Sequence, residues 1–110
     1  AIKNITGDFI GNYIDSIYAD IKNAKQDIME EPVYITLNLC RVLAFLKDGL
    51  YLSKEEGGKW GVEHLPEKYH PVIMGAAECY ATGKNMEVEE RMARQFAEEV
   101  LCLVKLAFIV

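Results

Sequence analysis

The segment Pro32-Val-Tyr-Ile-Thr-Leu-Asn-Leu-Cys-Arg-Val-Leu-Ala-Phe-Leu-Lys-Asp48-Gly49 decides the fold. Pro32 suits the first turn of a helix, where its missing N–H costs nothing, and Lys47-Asp48-Gly49 is a helix stop. The β-branched Val33, Ile35 and Thr36 alone would suit a strand, but the run is longer than a typical strand. Apolar residues point in all directions from Val33 to Leu46, which predicts a central helix wrapped by others. Asn38 and Arg41 lie in its middle, and buried polar groups need partners. The connector Leu50-Tyr51-Leu52 leads to Ser53-Lys-Glu-Glu-Gly-Gly-Lys-Trp60. Ser53 and Glu56 form a capping box, so a third helix is expected from Lys54 to just before Pro66. Gly57 and Gly58 in its second turn either kink it or admit another backbone or a ligand.

Upstream, Ile2–Gly7 reads as a lead-in, with Asp8 as a cap. Apolar residues at Ile10, Ile14, Ile17, Ile21, Ala24 and Ile28 recur at helical spacing, predicting a first amphipathic helix that ends at Glu30-Glu31-Pro32. Downstream, a fourth helix is expected to open at Pro66 and stop at Gly83. A fifth, capped near Asn85, is expected over Glu87–Ala107 with Val88, Met92, Phe96, Val100, Leu103 and Ala107 inward. The expectation is an all-α, five-helix bundle-like domain with a central apolar helix, without repeats or an internal boundary.

The 110 residues carry a net charge of −5, which argues against a nucleic-acid binder. Cys40, Cys79 and Cys102 are too few and scattered for a disulfide framework, and their apolar surroundings predict reduced core thiols. No signal peptide is visible, and the C-terminal apolar run is too short for a bilayer and interrupted by Lys105. A cytoplasmic protein with no membrane or nucleic-acid partner is expected. The chain starts at Ala1 without an initiator methionine, which suggests processing or a piece of something longer.

His64 and His70 lack metal-ligand spacing, and no cysteine lies near either. No glycine-rich nucleotide motif and no nucleophile turn is present. Read alone, the chain is not a complete enzyme. A possible anion-binding surface remains. Arg41 is either paired with a glutamate inside the fold or held for a phosphate or carboxylate. Lys54 is either a surface lysine or an anion contact beside the free N–H groups of a helix start. Tyr80 either packs in the core or meets a ligand. Trp60 reads more readily as core than as a ligand platform.

The segments Leu37-Asn-Leu-Cys-Arg-Val-Leu-Ala44, Leu52-Ser-Lys-Glu-Glu-Gly-Gly-Lys-Trp60, Leu65-Pro-Glu-Lys-Tyr-His-Pro-Val-Ile73 and Ala76-x-x-Cys79-Tyr80 carry a resemblance. From about Glu31 to Tyr80 the chain resembles the C-terminal helical domain of the aminoglycoside nucleotidyltransferases that modify streptomycin and spectinomycin. The resemblance implies that residues 1–110 are one helical domain, the C-terminal part of a larger two-domain enzyme. An N-terminal nucleotidyltransferase domain would supply the Mg²⁺ ligands and catalytic base, with ATP and Mg²⁺ used by the full enzyme and neither held by this domain alone. It implies that Arg41 and Lys54 contact ATP phosphates and Tyr80 the nucleotide. Asp27 and Glu31 would face the cationic aminoglycoside, although Glu31 replaces an aspartate and a tryptophan shortly before is missing. The glycine pair would permit the close approach that Lys54 requires. The alternatives are a non-catalytic adaptor for a separate nucleotidyltransferase or other partner, and a purely structural helical domain.

Overall fold

The computed structural model describes residues 16–109, with side chains through Ala107; the expected lead-in, the Asp8 cap and the first helix through Ile14 lie outside them. Six α-helices are described: α1 (residues 16–21), α2 (Ala24–Asp27), α3 (Pro32–Asp48), α4 (Lys54–His64), α5 (His70–Thr82) and α6 (Glu90–Ile109), with a 3₁₀ turn over Glu67–Tyr69. No strand occurs among the described residues, so the domain is all-α.

α1 and α2 are two limbs of the expected first helix, bent at Lys22–Asn23. The apolar stripe crosses the bend: Ile17, Ile21, Ala24 and Ile28 are all buried. Periodicity therefore located the face correctly while missing the break, because burial of the stripe is compatible with either geometry. Arg94 of α6 hydrogen-bonds the Lys25 carbonyl, and Lys25 pairs with Glu98 at 3.1 Å, tying α2 to α6.

α3 starts at Pro32 and stops at Gly49, which adopts φ 68° and donates to the Phe45 carbonyl. Six consecutive residues, Ile35 to Cys40, are buried. Successive helical residues are about 100° apart, so this stretch is covered on every side. Its neighbours are α4, α5 and α6. α4 begins as the capping box requires. Ser53 Oγ accepts from the Glu56 N–H at 3.1 Å, and Glu56 Oε1 accepts from the Ser53 N–H at 2.9 Å. Those two bonds also hold the Glu56 carboxyl below its usual pKa.

The glycines do not kink α4, which runs unbroken to His64. They form its seam with neighbouring helices. A Cβ on Gly57 would lie 2.7 Å from Arg41 Cγ, one on Gly58 3.2 Å from Leu37 Cδ2, and one on Gly61 2.6 Å from Cys40 Sγ. The close approach they permit here is that of α3, and for Gly58 and Gly61 that of α5 as well, the expected approach of another backbone.

Two later boundaries move. Pro66 stays extended, and α5 opens at His70 with Pro71 in its first turn. Both prolines fit a helix start by their missing N–H, so residue type alone did not choose between them. α6 opens at Glu90 rather than Glu87. Glu89 accepts from the backbone N–H groups of Arg91 and Met92 at 3.0 and 2.9 Å and takes the capping role expected near Asn85. The buried face of α6 is Ala93, Phe96, Ala97, Val100, Leu101 and Val104, turned slightly from the expected one. Small residues at positions 93 and 97 let the helix approach closely. Phe96 meets the fully buried Tyr69 ring edge-on at 5.3 Å, and the Tyr69 hydroxyl donates to Glu99 at 2.9 Å.

The three cysteines are free, but only Cys40 is a core thiol; Cys79 is half-buried and Cys102 exposed. Cys102 lies off the buried face of α6, so an apolar sequence neighbourhood overstated its burial.

Two expectations follow from this packing. Gly61→Ala should lower stability by about 1 to 2 kcal/mol, because the strain of overpacking exceeds the helix-propensity gain. The added Cys40→Ala should recover most of that loss in urea unfolding, by vacating the space of Sγ. Alkaline pH should also destabilise the fold. Burial pushes the Cys40 thiol from 9.0 up to about 12. Burial, then the hydrogen bond and charge of Glu99, push the Tyr69 hydroxyl from 10.0 up to about 12. Both pKa values are raised on folding, so their contribution is complete below the unfolded value of 9.0 and is lost as pH rises through about 12. Unfolding curves across that interval should show falling midpoints, with a shallower fall in Cys40→Ala.

Candidate functional site

Arg41 is half-buried on α3, facing the α3–α4 connection. Its Nε donates to the Leu52 carbonyl at 2.7 Å and its Nη1 to Asn38 Oδ1 at 2.9 Å. The two polar residues in the middle of α3 therefore partner one another, and both of these acceptors are neutral. Through Leu52 the guanidinium holds the strand of connector that delivers Ser53 and Lys54.

Lys54, partly buried at the first position of α4, carries its ammonium 4.9 Å from the centre of the Tyr34 ring. The Tyr34 hydroxyl donates to Asp20 Oδ2 at 3.2 Å. Tyr34 was not singled out from sequence. It sits in the β-branched opening of α3, and only the folded geometry shows that its ring lies under a cation.

α4 and α5 run antiparallel. A Cβ on Gly61 would touch Ile73, and one on Gly58 would touch Ala77, both at 3.4 Å. Continued by one turn, this register brings Tyr80 to the level of Lys54 and Glu55. Tyr80 is 50% exposed, so it is a surface aromatic and not part of the core. Lys54 and Tyr80 thus share one end of the α4–α5 pair, and Arg41 supports the connector leading into it.

Glu31 lies in a hollow of about 370 Å³ lined by Met29, Glu30, Glu31, Pro32, Val33, Tyr34, Lys84, Asn85 and Met86. Asp27 is not among the lining residues. It is half-buried one turn earlier, and its carbonyl accepts from the Glu30 and Glu31 N–H groups at 3.0 and 3.1 Å. Asp27 thereby shapes the turn that presents the glutamates. Glu30, Lys84 and Asn85 were not assigned from sequence, because nothing in the spacing brings residues 84–86 beside the start of α3. Tyr34 belongs to both regions: it lines the acidic hollow and underlies Lys54.

Trp60 is buried and donates from Nε1 to Asp48 Oδ2 at 2.9 Å, while its ring stacks on His64 at 4.4 Å. It fastens the far ends of α3 and α4. His64 Nδ1 is 2.9 Å from the Trp60 carbonyl, an acceptor, so that nitrogen carries the proton. Among the described residues no group of three or more His, Cys, Asp or Glu side chains is placed to hold a metal ion. No helix among them is long and apolar enough to cross a membrane.

The fold is that of an all-α domain whose α3–α4 connection, held by Arg41, presents Lys54 over the Tyr34 ring. Residues 10–102 match the family described as aminoglycoside adenylyltransferase, C-terminal domain, and the chain belongs to that family as the helical domain of an aminoglycoside nucleotidyltransferase. No curated protein and no solved structure matches the chain.

Arg41→Lys should destabilise the fold by about 1 to 3 kcal/mol, since an ammonium cannot reproduce both bonds and leaves buried acceptors short of a donor. Hydrogen exchange should quicken over Leu50–Lys54 in this variant, while the Trp60 end of α4 keeps its protection.

Proposed function

We propose that this domain is the ATP- and drug-facing part of a two-domain aminoglycoside O-adenylyltransferase, packed around α3 as its central helix. An N-terminal nucleotidyltransferase domain faces the edge that carries Lys54, Tyr80 and the Glu31 hollow. In the reaction a drug hydroxyl attacks the α-phosphorus of ATP, AMP passes to the drug oxygen, and pyrophosphate leaves. The other domain supplies the base that takes the hydroxyl proton, and also the Mg²⁺ ligands, for which the described residues here offer no suitable group.

Lys54 contacts the ATP phosphates and helps neutralise the charge that builds on the leaving pyrophosphate. Tyr80 offers an exposed ring and hydroxyl to the nucleotide. Arg41 adds its positive charge to the phosphate site, while its bonds to Leu52 and Asn38 fix the start of α4. Glu31, with Asp27 behind it, attracts the cationic drug. Cytoplasmic location goes with this reading, since the drug's ribosomal target and ATP are both found there.

The observation that carries the proposal is Tyr34, which places the acidic hollow directly beside the Lys54 ammonium. Nucleotidyl transfer requires that juxtaposition, because a polycationic acceptor and a polyanionic donor must meet at one edge.

The test is steady-state adenylylation by the full gene product that carries this domain. Lys54→Ala should raise KM for ATP about tenfold or more, the loss of one charge-assisted contact, with a smaller change in KM for the drug. Glu31→Gln should do the reverse. Absence of drug-dependent pyrophosphate release, or identical effects of both substitutions on both substrates, would overturn the proposal.

A further inference from the structure

Lys54 occupies an unfavourable place in its helix. It is the first residue of α4, among backbone N–H groups that form the positive end of the helix dipole, and an ammonium there weakens the helix. The carboxylates beside it in the chain are engaged elsewhere. Glu55 pairs with Lys59 at 3.7 Å, and Glu56 accepts from the Ser53 N–H at 2.9 Å to complete the capping box. The Asp20 carboxylate accepts from the Tyr34 hydroxyl at 3.2 Å.

What the ammonium meets instead is the face of Tyr34, 4.9 Å from the ring centre. A carboxylate and a ring face restrain an ammonium with different consequences. A carboxylate cancels the charge, and an incoming phosphate must displace it. A ring face attracts through its quadrupole, carries no net charge, and leaves the N–H donors that point away from it to an anion. The ring is itself held at two points, by its backbone in the first turn of α3 and by its hydroxyl on Asp20 of α1. The backbone of Lys54 is placed separately, through Arg41 and the Leu52 carbonyl. One support therefore sets where the lysine starts, and the other sets where its charge ends.

From this geometry, and resting on the reading of Lys54 as a contact for the ATP phosphates, we infer that Tyr34 is a positioning residue for the nucleotide. It acts through Lys54. The four-carbon stem of a lysine samples many rotamers when unrestrained, and holding it over a ring before ATP arrives reduces the entropy lost on binding. An exposed cation–π contact of this kind corresponds to roughly two- to fivefold in affinity.

A double-mutant cycle in the full gene product tests this, with kcat/KM for ATP as the readout. Tyr34→Leu should lower kcat/KM roughly two- to fivefold when Lys54 is present, and should cause no further fall in the Lys54→Ala background. Tyr34→Phe keeps the ring face and should restore the wild-type value to within about twofold. In wild type the ring current should shift the Lys54 ε-methylene protons upfield in the NMR spectrum, an observation that does not depend on how well any Tyr34 variant folds. An equal fall in both backgrounds would mean that Tyr34 acts on the substrate or the fold directly, and would overturn the inference. So would Tyr34→Phe behaving like Tyr34→Leu, no fall in Tyr34→Leu, or unshifted Lys54 methylenes in wild type. If Lys54→Ala alone leaves kcat/KM for ATP unchanged, the phosphate reading of Lys54 is the part that fails, and this inference falls with it.

Discussion

The guanidinium of Arg41 reaches the Leu52 carbonyl from the side of α3, and it does so over a glycine. A side chain at position 57 would collide with the Arg41 stem. The clasp therefore depends on the Gly57 seam, and the start of α4 depends on the clasp. With Leu52 held, Ser53 completes its capping box and Lys54 emerges at the head of α4, over Tyr34. A group that the sequence leaves open between an internal ion pair and an anion contact thus has architectural work. The charge is placed where the connector needs a donor, and the buried Asn38 is satisfied by the same fork.

Electrostatically the domain is divided along one edge. Acidic groups collect at the turn from α2 into α3, and a lysine stands at the head of α4, with the Tyr34 ring between them. An aromatic ring suits that position because its face attracts the ammonium, while its hydroxyl donates to a carboxylate. Among the described residues Lys54 is thereby held against the Tyr34 ring without an ion pair of its own.

Much of this was legible in the sequence. The α3 segment, its proline start and glycine stop, the Ser53–Glu56 capping box and the core position of Trp60 all follow from local chemistry, and each stands where that chemistry puts it. The errors have a common cause in tertiary choice. The bend at Lys22–Asn23 leaves the buried stripe intact, so periodicity could not reveal it. Pro66 and Pro71 offered equivalent helix starts, and Glu89 displaced Asn85 as the cap of α6. At the site, Arg41, Lys54, Tyr80 and Glu31 were named from pattern and resemblance, whereas Tyr34, Glu30 and Lys84 emerge only when the 84–86 segment and α3 come together. The glycine pair was read as kinking the helix or admitting another backbone or a ligand; the structure shows the second use, close packing against neighbouring helices.

The bond from Arg94 to the Lys25 carbonyl joins residues 69 apart in the chain, whereas the Arg41 clasp joins residues 11 apart. Loop-closure entropy grows with the logarithm of separation, so the longer closure costs about 1.6 kcal/mol more before any contact repays it. The α3–α4–α5 unit, with its short connections, can assemble on local closures alone. Docking α6 against α2 is the step that bears the long-range entropy. The edge bearing Lys54 and Tyr80 belongs to the locally closed unit, so the order in which the chain can fold favours forming that edge before the two ends of the domain are joined.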